Sequence, residues 1–378
     1  MKKKLVSVLL VAAMGASVLA GCGSRSVKED GGEKKSESSG NNVLEFYHGY
    51  YQDESEWAAA QVMRDIYDEF AQEHADGDVT FKPIAVENRD DIELLLIDPE
   101  KRKDTKERAK MINESDITFL CLPDAASIEA VSLVENDKVK IIDTSTAHRT
   151  LPEWAYGFAE LSNEFRHKIE TSNRIAVPGC YASGFNSIVY PLVHNNFISN
   201  DYDIVCFAMS GYTGAGKKGI AQYEDANRDK ELDSPRVYAL SQQHKHLKEM
   251  KTISNLAKEP IFTPIICDYP QGMLVNIPLY TSKMNKKYTK EDIYEMFKEH
   301  YGGSDIVKVR PLGYSEAMIG SNNFANRDDM EIEINGNDER IIITSRFDNL
   351  GKGASGAAIQ CLNIAMGINE KTGLNIGE

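Results

Sequence analysis

Residues 173–193, NRIAVPGCYASGFNSIVYPLV, contain a short apolar run that leads through Pro and Gly into a longer one. The first run, within Asn173 to Gly179, predicts a strand because its apolar residues are bounded by turn-forming residues. The second run, Phe185 to Val193, is long enough for a buried helix. Cys180 is therefore expected at a junction between a strand and a helix.

A cysteine at such a junction is a candidate nucleophile. The unpaired N–H groups and the dipole of a helix N-terminus favour an anion, so we expect the pKa of the Cys180 thiol to be lowered. The cysteines at positions 121, 206, 267 and 361 lie in apolar runs and are interpreted as small core residues. For Cys180, the alternative interpretation as a small core residue also stays open.

A cysteine nucleophile needs a partner that moves protons near neutral pH, and histidine is the usual one. The segment Gln242 to Met250 contains His244 and His246 and predicts the start of a helix. Glu249 follows His246 by three residues, which would let its carboxylate orient the His246 ring. A solvated basic helix start fits the same local pattern.

From Asp90 onward the chain alternates between predicted strands and helices. Continuous apolar runs at Ile92–Ile97, Ile117–Leu122 and Val139–Asp143 predict buried strands, and Ala109–Asn113 ends a charged helix. This alternation is typical of an α/β fold with a Rossmann-like parallel sheet.

Two polar loops could hold an anionic substrate. Asp143 to Arg149 follows a predicted strand and offers hydroxyl groups, including that of Ser145, together with the guanidinium of Arg149. The second loop starts with Ser210 and Gly211, at the end of another predicted strand.

This second loop is also close to a phosphate-binding P-loop. Gly211, Gly216 and Lys217 have the required spacing, but Lys218 stands where the Mg²⁺-binding Ser or Thr belongs. A nucleotide-phosphate hydrolase is therefore an alternative function.

The composition, net charge and cysteine spacing argue against several other classes of protein. The 378 residues are 42% hydrophobic, enough for the cores of roughly two to three domains. The net charge of −15 argues against a nucleic-acid partner, because it repels phosphates. The six cysteines form no CxxC pair and lie near no metal-binding histidine pattern, so neither a disulfide framework nor a metal site is predicted.

The N-terminus matches an export signal. Lys2, Lys3 and Lys4 precede an apolar run that ends in Leu19-Ala20-Gly21-Cys22. This ending resembles a bacterial lipobox, in which Cys22 would be lipidated and would anchor the exported chain. Residues 23–42 are rich in Ser, Gly, Lys and Glu and predict a flexible tether.

The next segment has its own pattern. Val43–His48 and Val79–Val86 predict strands, and Glu54–His74 predicts an amphipathic helix between them. With the lipobox, this βαβ-like unit resembles the opening of an extracellular solute-binding lipoprotein. This unit is long enough for only the first part of one lobe of such a binding protein.

From Asp90 to the C-terminus the chain closely resembles the N-acetyl-γ-glutamyl-phosphate reductases of the second, shorter type. The segments that carry the resemblance are Asp91–Leu95, Leu120–Asp124, Asp143–Arg149, Pro178–Tyr181, Ser210–Lys218, His244–His246 and Asp348–Gly356. Several independent motifs in the right order make the resemblance specific.

The resemblance implies a mechanism and a set of site residues. Cys180 would attack an acyl phosphate, NADPH would reduce the resulting thioester, and His246 would act as acid and base. The substrate would be held by Ser145, Arg149, Ser210 and Gly211, with Arg236 as a weaker candidate. The cofactor, NADP, would be lined by Leu122, Pro123, Ser183, Gly184 and Asn349.

The resemblance also implies domains. A catalytic and dimerisation domain of the glyceraldehyde-3-phosphate-dehydrogenase-like α+β type would span residues 181–345. Residues 90–180 and 346–378 would form the NADP-binding domain, with the helix at about Ala354–Met366 returning to it. A homo-oligomer and a small acyl-phosphate substrate are expected.

One departure from the family is expected at the start. Members begin with a strand and a Gly-rich turn that takes the cofactor pyrophosphate, whereas the reductase-like sequence begins here at about Asn88. We therefore predict a Rossmann-like sheet that lacks its first strand. Residues 1–42 would be signal and tether, and residues 43–89 a foreign segment in a fusion of two openings.

The two openings imply different compartments. The reductase resemblance implies a cytoplasmic enzyme, whereas a working lipobox would export the chain and anchor it to a membrane. The alternative function is therefore a membrane-tethered surface lipoprotein, a binding module without turnover.

Overall fold

The computed structural model describes residues 3–8, 92–95, 97–313 and 318–377. Cys22 and the predicted elements between Val43 and Val86 lie outside these residues. The described residues form two sheets, and helices pack against each of them.

The first sheet is entirely parallel, and its spatial order is β2-β1-β3-β4-β6-β5. Its strands are β1 (Lys3–Val8), β2 (Ile92–Leu95), β3 (Ile117–Leu120), β4 (Lys140–Asp143), β5 (Ala155–Tyr156) and β6 (Arg174–Ala176). The α/β class with a parallel sheet, predicted from the alternation after Asp90, is confirmed.

The prediction that this sheet lacks its first strand is wrong. Strand β1 lies between β2 and β3, with Lys3 opposite Ile92 and Leu5 opposite Ile117. A run of apolar residues after a basic start satisfies the pattern of an export signal and that of a buried parallel strand equally well, because local sequence does not show what will pair with it. The central position of the sheet is therefore filled from the segment that the sequence had assigned to the signal.

The second sheet is mixed, with the order β11-β12-β13-β10-β7-β9-β8. Its strands are β7 (Val205–Gly211), β8 (Arg236–Val237), β9 (Ile261–Cys267), β10 (Met273–Tyr280), β11 (Val307–Val309), β12 (Met330–Gly336) and β13 (Arg340–Phe347).

The described α-helices are α1 (Thr105–Glu114), α2 (Asp124–Ser132), α3 (Asn163–Thr171), α4 (Cys180–His194), α5 (Gly216–Glu224), α6 (His246–Ile253), α7 (Lys290–His300) and α8 (Gly356–Met366). Side-chain caps start several of them. Asp104 accepts the Lys106 amide at the start of α1 (2.8 Å), and Thr289 and Asp292 form a capping box at α7. Such a cap contributes about 1 kcal/mol.

Helix α4 links the two sheets. It begins directly after β6 of the first sheet, and its Phe185, Ile188 and Leu192 are fully buried in the core of the second sheet. A buried side chain of this size contributes about 1.5–3 kcal/mol to folding. Helix α8 packs its Ala358 and Leu362 into the core of the first sheet, as predicted.

No helix within the described ranges combines the length and the apolar character that a bilayer crossing needs.

Candidate active site

Cys180 is the first residue of α4, as the sequence predicts. Its N-cap, Gly179, has no side chain to bind the first amides of the helix, and the Tyr181 amide is directed at the Cys180 sulfur. The prediction of a lowered thiol pKa is wrong, however. Burial raises the pKa of Cys180 to about 11, and this outweighs the lowering by the Tyr181 amide and by the charge of Arg149.

His246 and Arg149 pack against the turn that precedes Cys180. A Cβ atom built on Gly179 would lie 2.4 Å from Nε2 of His246 and 2.4 Å from Nη1 of Arg149, so only glycine fits there. The structure therefore places Cys180, His246 and Arg149 at one turn, although they were predicted from three separate segments of the sequence.

His246 is the first residue of α6 and is buried. Burial, followed by the charge of Arg149, holds its pKa well below the usual value, so the ring is neutral near pH 7 and able to accept a proton. Its Nδ1 has no hydrogen-bond partner in the described part of the chain.

The prediction that Glu249 orients the His246 ring is wrong. The carboxylate of Glu249 accepts the Gly179 amide (2.9 Å), the Tyr156 hydroxyl (2.8 Å) and Nη1 of Arg149 (3.1 Å). A spacing of three residues places two side chains on one face of a helix, but Glu249 reaches groups on neighbouring elements instead.

His244 supports the start of α6. Its Nδ1 accepts the backbone amide of His246 at 3.2 Å, and the two rings meet edge to face with centroids 4.8 Å apart. Burial and the charge of Lys245 lower the pKa of His244 to about 4, so the ring stays an acceptor at neutral pH. His244 thus binds the first amide of α6 from the position before the N-cap Lys245.

The loop after β4 is organised by Asp143, which is fully buried. Its carboxylate accepts the amide (3.0 Å) and the hydroxyl (2.6 Å) of Ser145 and the hydroxyl of Ser127 (2.7 Å), and it contacts Nδ1 of His148 at 2.6 Å. The Ser145 hydroxyl therefore donates inside the loop, and its oxygen also accepts the Ala147 amide (3.2 Å), so its proton is not free for a ligand.

Arg149, at the end of this loop, is held by three contacts. Its Nε donates to the Val177 carbonyl (2.8 Å), Nη2 to the Thr144 carbonyl (2.8 Å) and Nη1 to Glu249. A guanidinium has five N–H groups, so two remain for a substrate.

The loop after β7 does not form a P-loop. The amides of Gly211, Tyr212 and Thr213 donate to the carbonyls of Gly272, Tyr269 and Pro270. A P-loop needs such amides free to surround phosphates, so the structure argues against the nucleotide hydrolase.

Ser210 and Asn349 lie at this same loop. The Ser210 hydroxyl donates to the Gly211 carbonyl at 3.1 Å. Asn349 accepts the Gly272 amide (2.9 Å) and donates to the Thr213 hydroxyl (2.9 Å), so it ties the loop to the neighbouring turn.

The other proposed site residues are spread over both halves of the molecule. Leu122 is buried, and Pro123 is the exposed N-cap of α2. Ser183 and Gly184 are buried in the first turns of α4, and Gly184 packs against Val275 and Phe347. Arg236 is half-buried and donates to the Tyr223 hydroxyl at 3.2 Å. Their roles in binding stay predictions.

Sequence reasoning missed Tyr156 and Asn186. Both are buried; Tyr156 donates a hydrogen bond to Glu249, and Asn186 donates one to the Tyr156 hydroxyl. An apolar neighbourhood such as Trp154-Ala155-Tyr156 marks a core position, and nothing in it signals a polar partner far along the chain.

Comparison with known proteins agrees with this arrangement. The family model described as semialdehyde dehydrogenase, NAD binding domain, matches residues 82–171, and that described as semialdehyde dehydrogenase, dimerisation domain, matches residues 180–349. The N-acetyl-gamma-glutamyl-phosphate reductase of Sinorhizobium fredii is 42% identical over 282 residues, which are 74% of this chain and 92% of that protein. The same-named protein of Brucella ovis is 41% identical over 285 residues, with the same shares covered.

The chain belongs to the N-acetyl-gamma-glutamyl-phosphate reductase family. The resemblance that the motifs after Asp90 indicated is thereby confirmed. The match to the semialdehyde dehydrogenase dimerisation domain begins at Cys180 and ends at Asn349, and the match to the NAD binding domain precedes it.

Solved structures share the fold at low identity. Aspartate semialdehyde dehydrogenase from Francisella tularensis aligns with a TM-score of 0.54 at 13% identity, covering 68% of this chain and 84% of that one. Aspartate semialdehyde dehydrogenase II from Vibrio cholerae aligns with a TM-score of 0.53 at 14% identity, covering 73% and 83%. The predicted fold class, a Rossmann-like sheet followed by an α+β catalytic unit, is confirmed.

Proposed function

We propose that this protein reduces N-acetyl-γ-glutamyl phosphate to N-acetyl-glutamate semialdehyde and phosphate with NADPH, a step of arginine biosynthesis. The observation that carries the proposal is the contact of Nε2 of His246 with the turn before Cys180, at the uncapped start of α4. A cysteine, a neutral histidine and free helix amides are what acyl transfer through a thioester needs.

The first half of the reaction is acyl transfer to Cys180. Because burial keeps the thiol protonated and His246 neutral, His246 takes the thiol proton as sulfur attacks the acyl carbon. The amides at the start of α4 stabilise the negative charge that develops on the acyl oxygen. The bond between the acyl carbon and the phosphate oxygen breaks, which leaves a thioester and inorganic phosphate.

The substrate phosphate and carboxylate need cationic and N–H donors. Arg149 stands beside the Cys180 turn, and we assign it to one of these anionic groups, with Arg236 as a further contact. We also assign Ser145, Ser210 and Gly211 to the substrate, which requires that their donors exchange the internal hydrogen bonds to Asp143, the Gly211 carbonyl and the Gly272 carbonyl for bonds to the anion. The two free N–H groups of Arg149 suit a bidentate contact with a carboxylate or phosphate.

The carboxyl edge of the first sheet fits a dinucleotide. Helix α2 starts there without a side-chain cap, since its N-cap is Pro123, and its first amides can face an anionic group. We assign Leu122, Pro123, Ser183, Gly184 and Asn349 to the cofactor, and NADPH supplies a hydride when it is bound. Hydride addition leaves a negative charge on the former acyl oxygen, and His246 gives this oxygen the proton that it took from Cys180. When the bond between carbon and the Cys180 sulfur breaks, His246 takes that proton back and returns it to the thiolate.

The test is an assay of NADPH oxidation and phosphate release with N-acetyl-γ-glutamyl phosphate. We expect turnover by the full chain, loss of more than about 10³-fold on Cys180→Ala, and little change on Cys121→Ala, the other half-buried cysteine. Equal losses in the two variants, or turnover by Cys180→Ala, would contradict the proposal.

We also propose that the enzyme works as a homo-oligomer in the cytoplasm. One face of the second sheet exposes Phe207, Ile261, Tyr280 and Ile342, and a second copy could cover this apolar surface. The use of Lys3–Val8 as a central strand favours a chain that keeps its N-terminus and is not exported.

A further inference from the structure

A buried row of polar groups connects helices α4 and α6. It begins where the Gly179 amide donates to Oε1 of Glu249 (2.9 Å), and the Tyr156 hydroxyl donates to the same oxygen (2.8 Å). Glu249 lies on α6, whereas Gly179 is the residue just before α4. This end of the row joins the helix of His246 to the turn of the nucleophile.

The row continues through Tyr156 to the other end of α6. The Tyr156 oxygen accepts a hydrogen bond from Nδ2 of Asn186 (3.0 Å), and Oδ1 of Asn186 accepts one from the Ser254 hydroxyl (2.8 Å). Asn186 lies on α4, and Ser254 is the C-cap of α6. All of these side chains are almost completely buried, so water does not replace a lost partner.

Helix α6 is thus attached to α4 at both ends, and Tyr156 joins the two attachments. His246 lies one turn before Glu249, so any tilt of α6 at Glu249 moves the His246 ring relative to Cys180. A shift of about 1 Å between reacting groups lowers a rate by about 10²-fold. The hydrogen bonds of Tyr156 therefore help to set the distance between His246, the base, and Cys180, the nucleophile.

We propose that Tyr156 is a positioning residue for this reaction, which holds α6 on α4 through Glu249 and Asn186 and thereby places His246 against Cys180. The inference rests on the proposed function and adds a residue to it. Tyr156 touches neither Cys180 nor His246 by any contact that the structure records, and its effect passes through Glu249.

The test compares Tyr156→Phe with Tyr301→Phe in the full chain. Tyr301 is also buried, and its hydroxyl donates to α4, to the Ser187 carbonyl at 2.7 Å, but Glu249 is not its partner. Each change removes one buried hydroxyl, so the control corrects for lost stability. We expect kcat to fall about tenfold in Tyr156→Phe with KM within about twofold, and both to stay within about twofold in Tyr301→Phe.

A second readout does not depend on reductase activity. Iodoacetamide should alkylate one Cys180 per chain in Tyr156→Phe as in the parent, at a rate at least about threefold lower, because His246 no longer assists the thiol. A structural role alone would lower the number of reactive chains and not the rate. If alkylation slows but no form of the protein turns over, the positioning role stands and the proposed function fails.

A double-mutant cycle with Glu249→Gln tests whether the effect of Tyr156 on His246 passes through Glu249. If Tyr156 acts through Glu249, the double variant is no slower in alkylation than Glu249→Gln alone, because coupled residues are not additive. Additive losses, or a Tyr156→Phe rate equal to that of the parent, would overturn the proposal.

Discussion

The nucleophile and its base are both uncharged at neutral pH. Burial raises the pKa of Cys180 to about 11 and lowers that of His246 well below its usual value. A preformed ion pair between thiolate and imidazolium is therefore disfavoured in the free protein. The proton moves from Cys180 to His246 when the substrate arrives, since the thiolate is the attacking species.

The two histidines of the α6 start should be separable by mutation. His246→Asn removes the base, and we expect turnover to fall about 10²-fold to 10⁴-fold. His244→Asn keeps a side-chain acceptor for the His246 amide, which His244 binds from the position before the N-cap Lys245, so the loss should be within about fivefold. Steady-state rates at pH 7 decide between them, and equal losses would show that the roles within the pair are wrongly assigned.

At the scale of elements, the site is made where two helices begin. Helices α4 and α6 start with Cys180 and His246, and the turn at Gly179 is what they share. The close approach of Arg149 and His246 to the Gly179 Cα explains why this junction carries glycine: a side chain would stand in the space of both groups.

Gly179→Ala tests this close approach. The added Cβ would lie 2.4 Å from both His246 Nε2 and Arg149 Nη1, so one or both groups must move. We expect a destabilisation of about 1–3 kcal/mol and a loss of turnover of about 10²-fold or more. Thermal unfolding and rate measurements check it.

Gly214→Ala is the folding control for this change. A Cβ at Gly214 would meet its nearest neighbour at 3.3 Å, which asks for only a small adjustment. If Gly179→Ala unfolds at the same temperature as this control and keeps full activity, the turn is less closely packed than described.

At the scale of the molecule, the N-terminus has two incompatible uses. Strand β1 pairs with both β2 and β3, so removing it would divide the first sheet and expose two strand edges. Cleavage before Cys22, as a lipobox would direct, removes the residues of this strand. A processed chain therefore cannot build the sheet in its complete form.

A chain that begins at Cys22 should bind NADPH at least about tenfold more weakly than the full chain and unfold at a lower temperature. Titration of NADPH fluorescence and thermal unfolding measure both effects. The full chain with Cys22→Ala, which cannot be lipidated but keeps Lys3–Val8, should bind like the parent. Equal binding by the shortened chain would show that β1 is dispensable for the cofactor site.

Local sequence determined much of the architecture. The Pro-Gly junction places Cys180 at a helix start because turn residues act on the backbone next to them. The strands after Asp90 also follow from apolar runs and their bounds, whereas the return of α8 to the first sheet was implied by the family resemblance. The motifs identified the reductase family for the same reason: each is a short contiguous segment.

The tertiary structure alone decided what depends on distant partners. Arg149 and Glu249 are 100 residues apart, and Tyr156 and Glu249 are 93 apart, so no local pattern predicts that Glu249 binds them instead of His246. Burial raises the Cys180 pKa although its helix start favours the thiolate, because desolvation depends on everything packed around the thiol. The place of Lys3–Val8 likewise depends on strands more than 80 residues away. Sequence thus determined the elements and the reactive residue types, whereas packing determined their pairing, their charge state and the use of the N-terminus.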